Sequence, residues 1–164
     1  LEEASEHEMI DEDQAEIVQS TMDFLDTNVK EVLTKRERMY ALNIKDLNHE
    51  SLQKILVNNN YSRIPIYDKV FDNIIGVLLT KIYFEEFEKD PHVSIRSILQ
   101  KPYFINSNIK IDDLFNGFRK HHTHIAIIRD THNHVIGMVT MEDVLEEIVS
   151  DISEPSLDKR RKTV

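Results

Sequence analysis

The chain has 164 residues, 40% of them hydrophobic, enough for one sizeable core or two small ones that share an interface. Its formal net charge of −10 argues against general nucleic-acid binding, which needs clustered Lys and Arg to neutralise phosphates. The absence of cysteine excludes a disulfide scaffold and thiolate chemistry and fits a reducing, cytosolic setting.

In chain order, residues 1–28 form an acidic opening segment, with Glu2, Glu3, Glu6 and Glu8 crowded before Asp11. Ile17, Val18, Met22, Leu25, Val29, Val32 and Leu33 then recur at amphipathic-helix spacing, with a break near Asp26-Thr27-Asn28. Met39–Ile44 reads as a short strand, and 49–59 as a helix that stops at Asn58-Asn59-Asn60. Ile64–Tyr67 and Ile74–Leu79 read as strands joined by a polar turn. Lys81–Lys89 reads as a helix that ends before Asp90-Pro91, a natural joint.

The same order then returns. A short helix over Ile95–Leu99 and a strand over Tyr103–Ile105 lead to a helix over Asp112–Lys120, despite Gly117. Strands follow at Ile125–Ile128 and Val135–Thr140, then a helix over Met141–Val149 and a tail over 153–164 that holds the basic run 159–162. The longest apolar run, Ile74–Leu79, is far short of the ~20 residues a membrane-spanning helix needs. The chain starts at Leu1 rather than Met, as a piece excised from a longer protein would.

The two halves are copies with a 61-residue shift: Ile64 answers Ile125, Ile66 answers Ile127, Ile75 answers Ile136, and Gly76 answers Gly137. Such self-similarity marks a unit that buries its apolar face against its own copy. The fold class expected is α+β (mixed α/β), with repeats over 29–90 and 91–152 packed as a pseudo-two-fold pair after an N-terminal helical segment.

The copies differ after the shared glycine. Thr140-Met-Glu-Asp143 stands in the second, where Leu79 and Ile82 occupy the matching positions of the first. Thr-x-x-Asp is a helix capping box; equally, a hydroxyl and a carboxylate beside free N–H groups suit a phosphate and a ribose. His124 aligns with Arg63, so both halves offer a cation or donor at the mouth of the same strand. His121, His122, His124, His132 and His134 leave three readings open: surface histidines, an anion contact through His124, or a metal site. The metal reading lacks any H-x-x-x-H or H-E-x-x-H spacing. No serine-nucleophile motif or Gly-rich phosphate loop is present, and three glycines leave little room for one, so an enzyme is not expected.

Three stretches carry a family likeness: Ile10-Asp-Glu-Asp-Gln through Val29-Lys-Glu-Val-Leu33, Tyr61-Ser-Arg-Ile-Pro-Ile-Tyr67, and Gly137 to Ile148. Together they resemble a tandem pair of cystathionine-β-synthase (CBS) domains, a Bateman module, and most closely that of the CorC/HlyC and cyclin M-related magnesium and cobalt transport family. The resemblance implies a regulatory module that binds AMP or ATP between the repeats, with Mg2+ on the phosphates. It implies that Thr140 and Asp143 hold phosphate and ribose, with His124 and Arg63 near them and the adenine against Ile105 and Ile125. It implies a homodimer and a membrane domain elsewhere in the parent protein, which places the module on the cytoplasmic side of a membrane. One departure is Asn133-His134, where relatives often have Gly-Gly: Asn tolerates left-handed backbone, His less so. A structural dimerisation module without ligand and a His-cluster metal-binding domain are the alternatives.

Overall fold

The computed structural model describes residues 12–22 and 26–153, so the acidic opening before Glu12 and the basic run 159–162 lie outside it. The first repeat holds β2 (Leu42–Asn43), α2 (His49–Asn58), β3 (Arg63–Asp68), β4 (Val70–Leu79) and α3 (Thr80–Lys89). The second holds β5 (Phe104–Asn106), α4 (Ile111–His121), β6 (Ile125–Arg129), β7 (Val135–Thr140) and α5 (Met141–Ser153). Before both come α1 (Glu12–Met22) and the two-residue strand β1 (Thr34–Lys35). The strand expected over Met39–Ile44 shrinks to β2, and the helix expected over Ile95–Leu99 is one 3-10 turn, Arg96–Ile98.

In each repeat a parallel pair (β2–β3, β5–β6) runs into an antiparallel hairpin (β3–β4, β6–β7). Each sheet buries one face under its own helices. Leu52, Leu56, Ile64, Ile66, Leu78 and Tyr83 form the first core; Leu114, Phe115, Phe118, Ala126, Ile128 and Val144 form part of the second. A third cluster joins the sheets back to back, with Ile74 against Ile127 and Val135, and Met39, Tyr67, Phe71, Phe104 and Met138 around them.

A repeated irregularity makes that third cluster. The β3–β4 register steps from Ile66↔Gly76 to Tyr67↔Ile74 and skips Ile75; the β6–β7 register steps from Ile128↔Gly137 to Arg129↔Val135 and skips Ile136. One extra residue reverses which face the following side chains take. Ile75 and Ile136 therefore face their own helices, while Ile74 and Val135 face the other repeat.

The N-terminal segment does not stay with the repeat it precedes. Val29 is fully buried in the second core, its N–H donating to Ile109 O (3.0 Å), with Val18, Val32 and Leu33 packed beside it. Ile17, on the same predicted apolar face, is instead 68% exposed. Thr34–Lys35 pairs antiparallel with Met138 and Gly137 of β7. Conversely Gln100, which leads into the second repeat, exchanges both backbone hydrogen bonds with Val77 of β4 (2.9 and 2.8 Å). Self-similarity places a boundary at residue 29; by packing, residues 26–35 go with the second repeat.

The two shared glycines sit where these segments cross. A Cβ on Gly76 would come within 2.6 Å of Leu99 Cβ and 3.0 Å of Gln100 O. One on Gly137 would strike the Thr34 carbonyl oxygen and come within 2.6 Å of Leu33 Cδ1. Gly137→Ala is therefore expected to destabilise the chain by about 1–3 kcal/mol, as overpacking against backbone does. Chemical denaturation checks it, and an unchanged midpoint would show that the crossing is loose.

An ion pair ties the same three parts together. Arg36, just past β1, donates to Asp72 and to Val135 O (2.9 Å) and lies over the Phe71 ring at 4.7 Å. Asp72 on β4 also accepts the Val135 N–H at 2.8 Å. The Arg36 hydrogen bond first, and the Val135 N–H next, hold the Asp72 carboxyl below its ordinary value of 3.8. A depressed folded-state pKa adds stability that is present above the ordinary carboxylate range and is lost as pH falls through the folded value. Asp72→Asn should thus lower stability at neutral pH, and the gap from wild type should narrow once pH drops below about 3.8. Urea titrations of both proteins at about pH 7 and about pH 3 measure this; equal gaps would rule out the ionised pair as the cause.

Candidate functional site

At the β7–α5 junction the capping box forms in full. Thr140 Oγ1 accepts the Asp143 N–H (3.2 Å), and Asp143 Oδ2 accepts the Thr140 N–H (3.0 Å). These bonds leave the Thr140 hydroxyl proton and Asp143 Oδ1 for other partners, and both residues are half-buried. The first repeat solves the same junction differently. Leu79 occupies the cap position of α3 with no side-chain hydrogen bond, and Thr80 donates to Tyr61 O (2.7 Å). Cap and ligand roles are compatible at Thr140 and Asp143, because each role uses different atoms.

Glu142 on α5 lies near both Arg63 of the first repeat and His124 of the second. Glu142 Oε1 lies 3.8 Å from Arg63 Nη1 and 4.0 Å from His124 Nδ1. The Met141 N–H donates to His124 O (2.8 Å), which fixes the start of α5 against the start of β6. Of the six residues the sequence singled out, the structure thus brings Arg63, His124, Thr140 and Asp143 to one junction. Ile125 joins them as the partner of Thr140 in the β6–β7 register, but it is only 1% exposed. Ile105 does not join them. It pairs with Ile128, three positions further along β6, about 10 Å away, and it packs on the second core.

Sequence reasoning missed a hollow of about 500 Å3 beside this junction, lined in part by Tyr103, Phe104, His121 and Thr123. The Tyr103 ring packs on His121 at 4.5 Å, and burial raises the Tyr103 phenol above its ordinary pKa. Gly117 now has a reason: a Cβ there would strike the Tyr103 hydroxyl, so the glycine in α4 makes room for the ring. A second hollow of about 460 Å3 lies in the first repeat, between Tyr61, Arg63, Leu79 and Lys81. Glu142 was also missed, although the 61-residue shift that aligns it with Lys81 exposes a reversal of charge.

The five histidines do not act together. His122 is not on a strand with His124; it ends α4 in the left-handed region (φ 50°), and β6 starts only at Ile125. His132 and His134 lie at the opposite end of the β6–β7 hairpin, their rings 6.3 Å apart. There Asp130 Oδ1 accepts the N–H groups of His132 (2.8 Å) and His134 (2.9 Å), which pull Asp130 below its ordinary pKa, His134 most strongly. Asn133 takes the left-handed position (φ 65°), and His134 is spared it. Among the described residues, no grouping of three His, Asp or Glu side chains is placed to hold a metal ion, so the His-cluster metal reading has no geometric support.

The cap asymmetry can be tested by transplant. Leu79→Thr with Ile82→Asp should rebuild the box on α3; Ile82 is 38% exposed, so little packing is lost. The expected gain is about 1 kcal/mol, read by urea denaturation, and a loss would show that the Leu79 contacts outweigh a cap.

Residues 95–150 match the CBS domain family model. The chain is 32% identical over 143 residues to Hemolysin C of Brachyspira hyodysenteriae, covering 87% of this chain and 52% of that protein. It is 26% identical over 159 residues to the magnesium and cobalt efflux protein CorC of Vibrio cholerae, covering 96% of this chain and 54% of that protein. The chain thus spans about half the length of the curated relatives it matches. Among solved structures, it resembles the CBS domain of a bacterial CNNM/CorC family Mg2+ transporter in complex with ATP. There the TM-score is 0.71 and the identity 32%, over 83% of this chain and 97% of that one. Identity and coverage of that order, on a fold built from two such repeats, place the chain in the CBS-domain family, among the CBS pairs of the CNNM/CorC Mg2+ transporter proteins.

Proposed function

We propose that the chain is a non-catalytic regulatory module that binds an adenine nucleotide, AMP or ATP, and so controls a magnesium or cobalt transport domain in a longer parent protein. The observation that carries this reading is the convergence of Thr140, Asp143, Arg63 and His124 at one end of β7, next to a hollow large enough for a nucleotide. The ATP complex of the related CBS domain supports the ligand class.

In this reading the Thr140 hydroxyl donates to phosphate, Asp143 Oδ1 accepts from ribose hydroxyls, Arg63 neutralises phosphate charge and His124 offers a ring N–H. The buried Ile125 offers an adenine little surface, so the base lies against Tyr103 and Phe104. Mg2+ enters on the phosphates, which suits a chain of net charge −10. Among the described residues no helix is long and apolar enough to cross a membrane. The proposal places this part on the cytoplasmic side, beside its transport domain. It pairs two copies through their exposed helices, where Ile82 and Phe84 on α3 and Val149 on α5 show apolar surface.

Calorimetry with AMP and ATP, with and without Mg2+, tests the site. Asp143→Ala should weaken binding about tenfold or more and, through the lost cap, cost about 1 kcal/mol of stability. Asp143→Asn keeps an acceptor for the Thr140 N–H, so its stability should stay near wild type while affinity still drops. Unchanged affinity in both variants would remove Asp143 from the site. A wild-type chain that shows no thermal shift with AMP, ADP or ATP would favour the ligand-free dimerisation module.

A further inference from the structure

Charge is not spread evenly over this chain. Exposed acids crowd the helices that cover the sheets: Glu12, Asp13 and Glu16 on α1, Glu85 and Glu88 on α3, and Glu146 on α5. The tips of the two hairpins, residues 68–73 and 129–134, carry a different pattern. They lie together, since Asp72 on the first accepts the Val135 N–H beside the second (2.8 Å). Asp68 ends β3 with only 20% of its side chain exposed, whereas the two cations facing it, Arg96 (3.1 Å) and Lys45 (4.0 Å), are 53% and 54% exposed. On the second tip Asp130 is engaged with the N–H groups of His132 and His134, both exposed residues. The acids of the tips are thus turned inward and the basic groups outward. Glu37 and Asp46 are exposed acids on neighbouring turns.

Lys69 and Val70 stand at the crest of the first tip. Lys69 sits in the left-handed region (φ 68°), where its N–H donates to Asn43 Oδ1 (3.2 Å). That backbone favours glycine, so a lysine there costs stability. Val70 beside it is 60% exposed. A solvated turn needs neither a strained lysine nor a bare valine. An anionic bilayer surface uses both, because cations meet the lipid phosphates while a short apolar side chain enters the boundary beneath them. In about 0.15 M salt, charges farther away than about 8 Å are screened. An approach tip first therefore sets these cations against the surface and leaves the acids of the helices behind.

We propose that the paired hairpin tips dock on the anionic headgroups of a membrane, with Lys69 and Val70 in contact and Lys45, Arg96, His132 and His134 around them. This inference rests on the reading above that the parent is a membrane transport protein, and it adds which end of the module faces the bilayer. The candidate nucleotide site lies at the other end of β7 and takes no part.

The experiment sediments the full chain with vesicles of phosphatidylcholine alone and of phosphatidylcholine with phosphatidylserine. Wild type should bind the second kind and ignore the first. Lys69→Gly separates docking from folding, because it should raise the urea midpoint by relieving the left-handed lysine and yet weaken vesicle binding about fivefold. Val70→Ser should weaken binding about threefold or more, at low and high salt alike. Lys54→Gln, an exposed lysine on α2 paired only with Glu50, should leave binding unchanged. A Lys69→Gly chain that gains stability with unchanged vesicle affinity would make the tip a plain turn and overturn the proposal. An equal loss in Lys54→Gln would overturn it too, since the attraction would then be diffuse. Wild type that ignores both vesicles but binds a polyglutamate peptide would assign the tips to an acidic protein segment instead. Calorimetry with AMP and ATP on Lys69→Gly should match wild type, so failure at the vesicle leaves the nucleotide reading standing.

Discussion

The fold depends on an exchange of backbone pairing between the repeats. The segment that leads into the first repeat, Thr34–Lys35, adds a strand to the second sheet, and Gln100, which leads into the second repeat, pairs with the last strand of the first. Each such hydrogen bond adds only about 1 kcal/mol, but their placement matters more than their sum. A unit of about 60 residues is marginal alone, and here neither can unfold without stripping an edge from the other. The bulges at Ile75 and Ile136 and the glycines beside them serve this arrangement. The bulges turn Ile74 and Val135 into the shared cluster, and the glycines let the crossing segments come close.

On that shared frame the junctions before α3 and α5 diverge. The first presents Leu79, Lys81 and Ile82, and its helix starts without a side-chain cap. The second presents Thr140, Glu142 and Asp143 and caps itself reciprocally. One change of residue type therefore alters two properties together. The hydroxyl and carboxylate that complete the hydrogen bonding of α5 also concentrate polar atoms beside Arg63 and His124. A cap at Thr140 is thus no argument against a binding site there: the geometry that holds the cap also fixes the side chains a ligand would need.

Much of the fold was legible because apolar alternation and glycines mark the hairpins. Ile64, Ile66, Leu78, Ile125 and Ile127 are all buried, but Gly76 pairs with Ile66 while Gly137 pairs with Ile128, so Ile127 faces the other repeat where Ile66 faces its own helices. The exchange itself was not legible. Thr34, Lys35 and Gln100 take part through backbone atoms, which leave no hydrophobic period. The bulges were also hidden, since a single skipped residue in an all-apolar run changes facing without changing composition. At the site, Thr140, Asp143, Arg63 and His124 were readable from the broken repeat, but Ile105 was misplaced because parallel register cannot be read from sequence. The contact of Tyr103 with His121 was missed because the two meet across a loop and a helix end, and its trace in the sequence was the unexplained Gly117.

β7 makes the link between binding and regulation concrete. Its Val135 end is held by Asp72 and Arg36, its middle pairs with Thr34–Lys35, and its Thr140 end caps α5. The chain arriving from upstream therefore grips the same strand, two to five residues from Thr140. Strands are stiff along their length, so a shift of α5 and Thr140 that accompanies a ligand would strain the β1 pairing and the Arg36–Asp72 contact rather than dissipate in a loop. Regulation requires that a ligand favour one of two arrangements. For the proposed module, the arrangement a ligand would bias is the seating of β7 between the other repeat and the incoming segment.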